Sequence, residues 1–130
     1  MKTEKTIDMR VRLSTLWIVV MINMIFADIF SIMIELVNGN TLNIPGDVKT
    51  VMAIAALVTN VPILMIYLSR VMSFKINRIV NMIAAVFTMI YVVGGGDFAP
   101  HYIIIASIEV IVLLLIVVYA WKWTMVEKTE

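Results

Sequence analysis

The sequence predicts an all-α polytopic membrane protein: four transmembrane helices in an antiparallel bundle, forming a single domain over residues 1–130. Three observations predict it. Hydrophobic residues make up 62% of the chain and charged ones 15%, with a mean hydropathy of +1.03, whereas about a quarter of a soluble domain is charged. Four apolar runs each approach or exceed the roughly 20 residues that a helix needs to cross a hydrocarbon core of ~30 Å. Threading those runs through a bilayer leaves nine of the ten Lys and Arg residues on one side. A soluble domain of this length has too little interior to hide so much apolar surface. Disorder requires low hydrophobicity, and a disulfide-stapled scaffold requires cysteine, of which there is none.

The spans fall at 13–37, 48–69, 76–93 and 102–123. They are continuously apolar, which selects helices over the short alternating strands of a membrane barrel. The first follows a basic flank and contains Asp28. Its core is too long for a cleaved leader, an acid interrupts it, and no small-x-small site follows. We therefore read it as a retained helix. The loop NGNTLNIPGD ends it with a cluster of turn residues. The second span carries Thr59, Asn60 and Pro62. The proline removes one amide and frees the carbonyl near Val58, so a kink is expected, with Asn60 and Thr59 satisfying it.

The next connection, RVMSFK, is short enough to predict a tight antiparallel hairpin. The third span shows Asn77, Asn81, Ala84, Ala85 and Thr88 along one stripe. The second has Ala53, Ala56 and Asn60. Small and weakly polar stripes let membrane helices approach closely, so both are expected in helix contacts. Asn23 faces away from Asp28 and calls for the second helix or another copy of the chain. The third loop, GGGDFAP, stops the third span with glycines and places Pro100 for the first turn of the fourth. His101 is expected to be a solvated histidine beside Asp97.

Orientation follows from the cations. Lys2, Lys5, Arg10, Arg12, Arg70, Lys75, Arg78, Lys122 and Lys128 gather on one side, and Lys49 alone lies on the other. Both termini and the short middle loop are thus predicted to be cytoplasmic, in a cell membrane. Trp121 and Trp123 fit an aromatic belt at that face, and Tyr102 one at the opposite face.

Ionisable residues inside a membrane are costly and point to function. The candidates are Asp28, Glu35 and Glu109. Glu35 reads as an interfacial, solvated residue. Asp28 lies roughly 22 Å along the first span and Glu109 about 10 Å into the fourth from the opposite face, at 1.5 Å per residue. The two are thus expected at similar depth. Ser31 lies near the Asp28 face. Two confined carboxylates need a proton or a cation between them. Asp28 and Glu109, with Asn60 and Ser31, are therefore the predicted ion-binding residues of a cation- or proton-coupled transporter or channel. Four helices rarely enclose a pathway alone, which implies a homo-oligomer. The alternative is a non-transporting structural or accessory membrane subunit whose polar residues fix packing.

The remaining chemistry is narrow. No cysteine means no thiolate nucleophile and no thiolate metal site, and a single histidine cannot give bis-histidine haem ligation. No nucleophile–base–orienter set is visible, so no enzyme, cofactor or metal centre is expected. A net charge of +1 gives no basis for nucleic-acid binding. The eleven methionines are scattered, with no MxxM cluster, and read as soft packing filler. Gly94-Gly95-Gly96 lacks the strand and the Lys-Ser/Thr of a phosphate loop.

The stretch LSTLWIVVMINMIFADIFS, through Ser14-Thr15-Leu16-Trp17, Asn23 and Ala27-Asp28, resembles the start of an uncharacterised family of small bacterial and archaeal four-helix membrane proteins. That resemblance implies a fold and no activity. The size and the intramembrane acid are also similar to small multidrug-resistance exporters. Their membrane glutamate lies early in the first helix, however, and Glu109 is in the fourth span, so no residue role is carried over.

Overall fold

The computed structural model describes residues 9–39, 46–95 and 98–124. Among these the chain forms four helices and no strand: α1 (Met9–Val37), α2 (Val48–Val71), α3 (Phe74–Gly94) and α4 (Pro100–Lys122). All four are long and apolar enough to cross a membrane, and the protein is a four-helix membrane protein. Lys2, Lys5, Asp97 and Lys128 lie outside the described residues.

Local chemistry explains the ends. Gly39 closes α1 at a φ of +73°, a left-handed conformation that favours glycine. Asp47 caps α2, accepting from the Thr50 amide at 3.2 Å and the Thr50 hydroxyl at 2.8 Å. Pro100 occupies the first turn of α4, where its missing amide costs nothing. The helices extend slightly past the spans expected from hydropathy, because backbone hydrogen bonding continues into the polar flanks.

The helices form a ring in which α1 touches α2 and α4, and α3 touches α4 and, least closely, α2. The core is a column of Leu13, Trp17, Val20, Ala85, Leu113 and Ile116, each with no exposed surface. Ile, Val, Leu and Phe dominate the outside, the distribution expected of helices solvated by lipid.

Four packing expectations are corrected. The turn between α2 and α3 is short, yet the pair is no tight hairpin. The buried residues of α2 are confined to Pro62, Met65 and Ser69, and an apolar groove of about 420 Å³ separates the two helices beside Leu64 and Ile83. Ala84 and Ala85 are buried as expected, but Ala53 and Ala56 are exposed, because the face of α2 turned to the bundle runs through Val51, Ala55, Val58, Pro62, Met65 and Ser69, and Ala53, Ala56 and Asn60 lie on the opposite face. Trp123 is no belt residue. It is buried edge-on against Phe74 at 5.1 Å, under the Arg10 guanidinium at 5.6 Å, whereas Trp121 is exposed. Tyr102 likewise turns inward, donating to the Val92 carbonyl at 2.7 Å.

One end of the bundle is basic. Arg78 donates to the Ala120 and Trp121 carbonyls, both at 2.8 Å, and so caps α4. Arg10 donates to the Met72 carbonyl at the end of α2 at 3.3 Å. Arg12 lies over Tyr119.

Candidate functional site

Buried polar residues occur at two levels. The level nearer the basic end is a closed network. Trp17 Nε1 donates to Asn81 Oδ1 at 2.7 Å, and Ser69 Oγ donates to the same oxygen at 3.2 Å. Asn81 Nδ2 donates to the Asn77 carbonyl and side-chain oxygens, and Asn77 Nδ2 to the Ser69 carbonyl. Ser14 Oγ donates to the Ile66 carbonyl and accepts from Arg70 Nε. The network joins α1, α2 and α3 and is saturated by its own members, as a buried polar cluster must be to stabilise a fold.

The level nearer the other end is open-valenced. A cavity of about 60 Å³ lies between α1, α3 and α4, lined by Asp28, Glu109, Tyr91, Tyr102, Met24 and Gly95 among others. Both predicted acids line it. Glu109 is 2% exposed, and its Oε1 has no hydrogen-bond partner among the described residues. Asp28 is exposed. Gly95 suits its place in the lining, because a Cβ there would stand 3.0 Å from the Tyr91 carbonyl oxygen.

Interhelix contacts fix the register. Ser31–His101, Arg12–Tyr119 and Arg10–Trp123 align α1 with α4. In that register Glu109 falls opposite Asn23 and Met24, and Asp28 lies ~7 Å farther from the basic end at 1.5 Å per residue. The expected equal depth is thereby corrected: the acids are stacked, with Asp28 at the rim and Glu109 at the floor. The equal depth expected from each helix's own start fails because it takes Leu13 and Tyr102 as the two faces of a ~30 Å core, whereas this register sets them only about 25 Å apart at 1.5 Å per residue. Below the floor, Trp17, Val20, Ala85, Leu113 and Ile116 shut the cavity off from the basic end.

The other two predicted ligands are elsewhere. Asn60 is exposed on α2 and bonds the Ala56 carbonyl of its own helix at 2.7 Å. The Pro62 region is kept helical by such local bonds, including Thr59 to Ala55 at 2.9 Å. Ser31 hydrogen-bonds His101 Nε2 at 3.0 Å, one turn beyond Asp28. His101 is therefore not the solvated loop residue expected. It is half-buried within α4, edge-on to Phe30 at 6.2 Å, because α4 starts one residue before it. Glu35 is half-buried near the end of α1.

Sequence reasoning missed Tyr91 as a lining residue, whereas Tyr102 lines the cavity on the face that helical spacing lets it share with Glu109. The signal was present. Asn77, Asn81, Thr88, Tyr91 and Val92 continue one helical stripe, and a stripe that packs the core at one end lines the cavity at the other. Among the described residues no three of His, Cys, Asp and Glu gather as a metal-ligating group. The oxygens at the cavity suit hard cations and protons.

A family model described as "Family of unknown function (DUF6326)" matches residues 4–129. No curated protein and no solved structure matches the chain.

Proposed function

Because the chain belongs to a family of unknown function, DUF6326, its activity has to be read from its own residues, and we propose that it is a cation- or proton-coupled membrane transporter whose site is the Asp28–Glu109 cavity. The carrying observation is that both intramembrane acids line one cavity in which a carboxylate oxygen, buried with Glu109, has no partner among the described residues. An acid kept only for packing is expected to spend both oxygens on neighbouring donors. The size of the cavity supports the class of cargo. About 60 Å³ is far below the roughly 300–1,000 Å³ of organic-ligand pockets, so the ligand is a proton or a small cation.

The apolar floor beneath Glu109 supports a carrier over an open pore, since a binding site closed on one side needs a conformational change to release its cargo toward the other. In this reading the basic end faces the cytoplasm of a cell membrane, and Asp28 receives ions from outside. The working unit is a homo-oligomer, because a cavity this small leaves no pathway within one bundle. No catalytic set accompanies the acids, and the reading includes neither an enzyme activity nor a cofactor nor nucleic acid.

The test is flux in proteoliposomes. Glu109→Gln abolishes proton- or cation-driven flux, and Asp28→Asn abolishes it or shifts its pH optimum. Wild-type protein that moves no cation, with the amide variants as stable as wild type or more so, overturns the reading in favour of an accessory subunit. The saturated Trp17–Asn81–Asn77–Ser69 network is the observation that favours that second role.

A further inference from the structure

The titratable groups lining the Asp28–Glu109 cavity are Asp28 of α1, Tyr91 of α3, and Tyr102 and Glu109 of α4. No residue of α2 and no Lys, Arg or His is among its described lining residues. The Tyr102 hydroxyl is committed to the Val92 carbonyl at 2.7 Å. Glu109 is 2% exposed, and its Oε1 meets no donor among the described residues. No cationic side chain in the lining thus counters a charge on Glu109, and a buried charge needs a counterpart. The counterpart has to come from outside the chain, as a metal ion or as a proton.

The number of ligands decides between them. Hard metal ions such as calcium and magnesium take about six oxygen ligands or more. At the level of Glu109 the cavity offers one carboxylate. Asp28 lies ~7 Å farther from the basic end at 1.5 Å per residue. The Val92 carbonyl is already bonded, and no three of His, Cys, Asp and Glu gather among the described residues. A volume of about 60 Å³ holds about two waters at ~30 Å³ each. Two waters and one carboxylate fall short of a metal shell, and they fill the space without the ion. A proton needs a single oxygen. Two waters also suit the gap between the acids, since three hydrogen bonds of ~2.8 Å span about 8 Å.

We propose that the cavity is a site for protons alone: Asp28 at the rim and Glu109 at the floor exchange one proton through a short water chain, and no metal ion is bound. The inference rests on the reading of this cavity as an ion site, and it narrows the cargo to the proton. Inward transfer breaks the O–H bond of the Asp28 carboxyl group and forms one on the Glu109 carboxylate. Each water accepts one proton and passes on another, so the total charge of the pair is unchanged. Glu109 is the group that holds the proton. Asp28, which is exposed, is the relay that connects it to the surface.

The test reads the infrared band of protonated carboxyl groups in the full chain reconstituted in liposomes, and it needs no transported partner. One component of the band titrates with pH and is absent in Glu109→Gln. Its midpoint is the same in sodium, lithium, potassium, magnesium and choline chloride at equal ionic strength, since only an ion that binds the carboxylate competes with the proton. After a jump into heavy water that component shifts as its proton exchanges, and Asp28→Asn slows the exchange by about tenfold or more. A midpoint that falls in any metal salt overturns the proposal and leaves a metal-ion transporter standing. A band with no titrating component lost in Glu109→Gln overturns both the proton site and the reading of the cavity. Exchange as fast in Asp28→Asn as in wild type overturns the relay. If the titrating component behaves as expected while Glu109→Gln leaves flux in proteoliposomes unchanged, the transporter reading fails and the proton site stands.

Discussion

Trp17 on α1 and Asn81 on α3 are joined across the diagonal of the bundle by a 2.7 Å hydrogen bond, and both side chains are fully buried. This single bond relates two helices that otherwise meet little. Asn81 Oδ1 also accepts from Ser69, so one side chain holds α1, α2 and α3 together at the level where the cavity above them is shut. Asn81→Ala strands both donors inside a dry interior. We expect it to lower stability by about 1–3 kcal/mol, measured by unfolding in detergent. A double-mutant cycle with Trp17→Phe isolates the coupling of the pair. A coupling energy indistinguishable from zero would show that the bond fixes no geometry.

The alanines of α2 and α3 look alike in sequence and differ in place. Ala85 is fully buried and Ala56 is exposed. Ala85→Leu therefore overpacks the core and costs about 1–3 kcal/mol, while Ala56→Leu faces lipid and leaves thermal stability unchanged. Equal losses in the two variants would mean that the Ala53–Ala56 face of α2 is in contact and not turned to lipid.

The chain has no cysteine, which gives a clean background for labelling. With the basic end in the cytoplasm, a single cysteine at Asn40 reacts with a membrane-impermeant maleimide added to intact cells, and one at Ser73 reacts only after lysis. Labelling of Ser73 from outside refutes the orientation.

Arg78 anchors the end of α4 by two bonds to backbone carbonyls. Arg78→Ala is expected to destabilise by about 1–3 kcal/mol. Arg78→Lys recovers only part of this, since an ammonium lacks the planar fork that reaches both carbonyls. Full rescue by lysine would show that charge alone is needed there.

The sequence by itself determined the class of molecule, the number of helices and the candidate acids. Those features depend on composition and on the one-dimensional length of apolar runs, and lipid permits one answer to a 20-residue apolar run. It also marked Asn77, Asn81, Ala84, Ala85 and Thr88 as an inward stripe, since helical phase follows from spacing alone. Only the tertiary structure decided which inward residues meet. Asp28 and Glu109 share a cavity but stand a turn apart, Asn60 is left outside it, Ser31 is engaged by His101, and Ala53 and Ala56 lose their expected neighbours because α2 is rotated to turn its Val51–Ala55–Val58–Pro62 face inward. The physical reason is that hydrophobicity barely separates core from surface in a membrane: an isoleucine is equally at home against lipid or against another helix. Rotation and register are then set by a few polar bonds, Trp17 to Asn81, Arg78 to Ala120 and Tyr102 to Val92, and which donor finds which acceptor is written in no single helix.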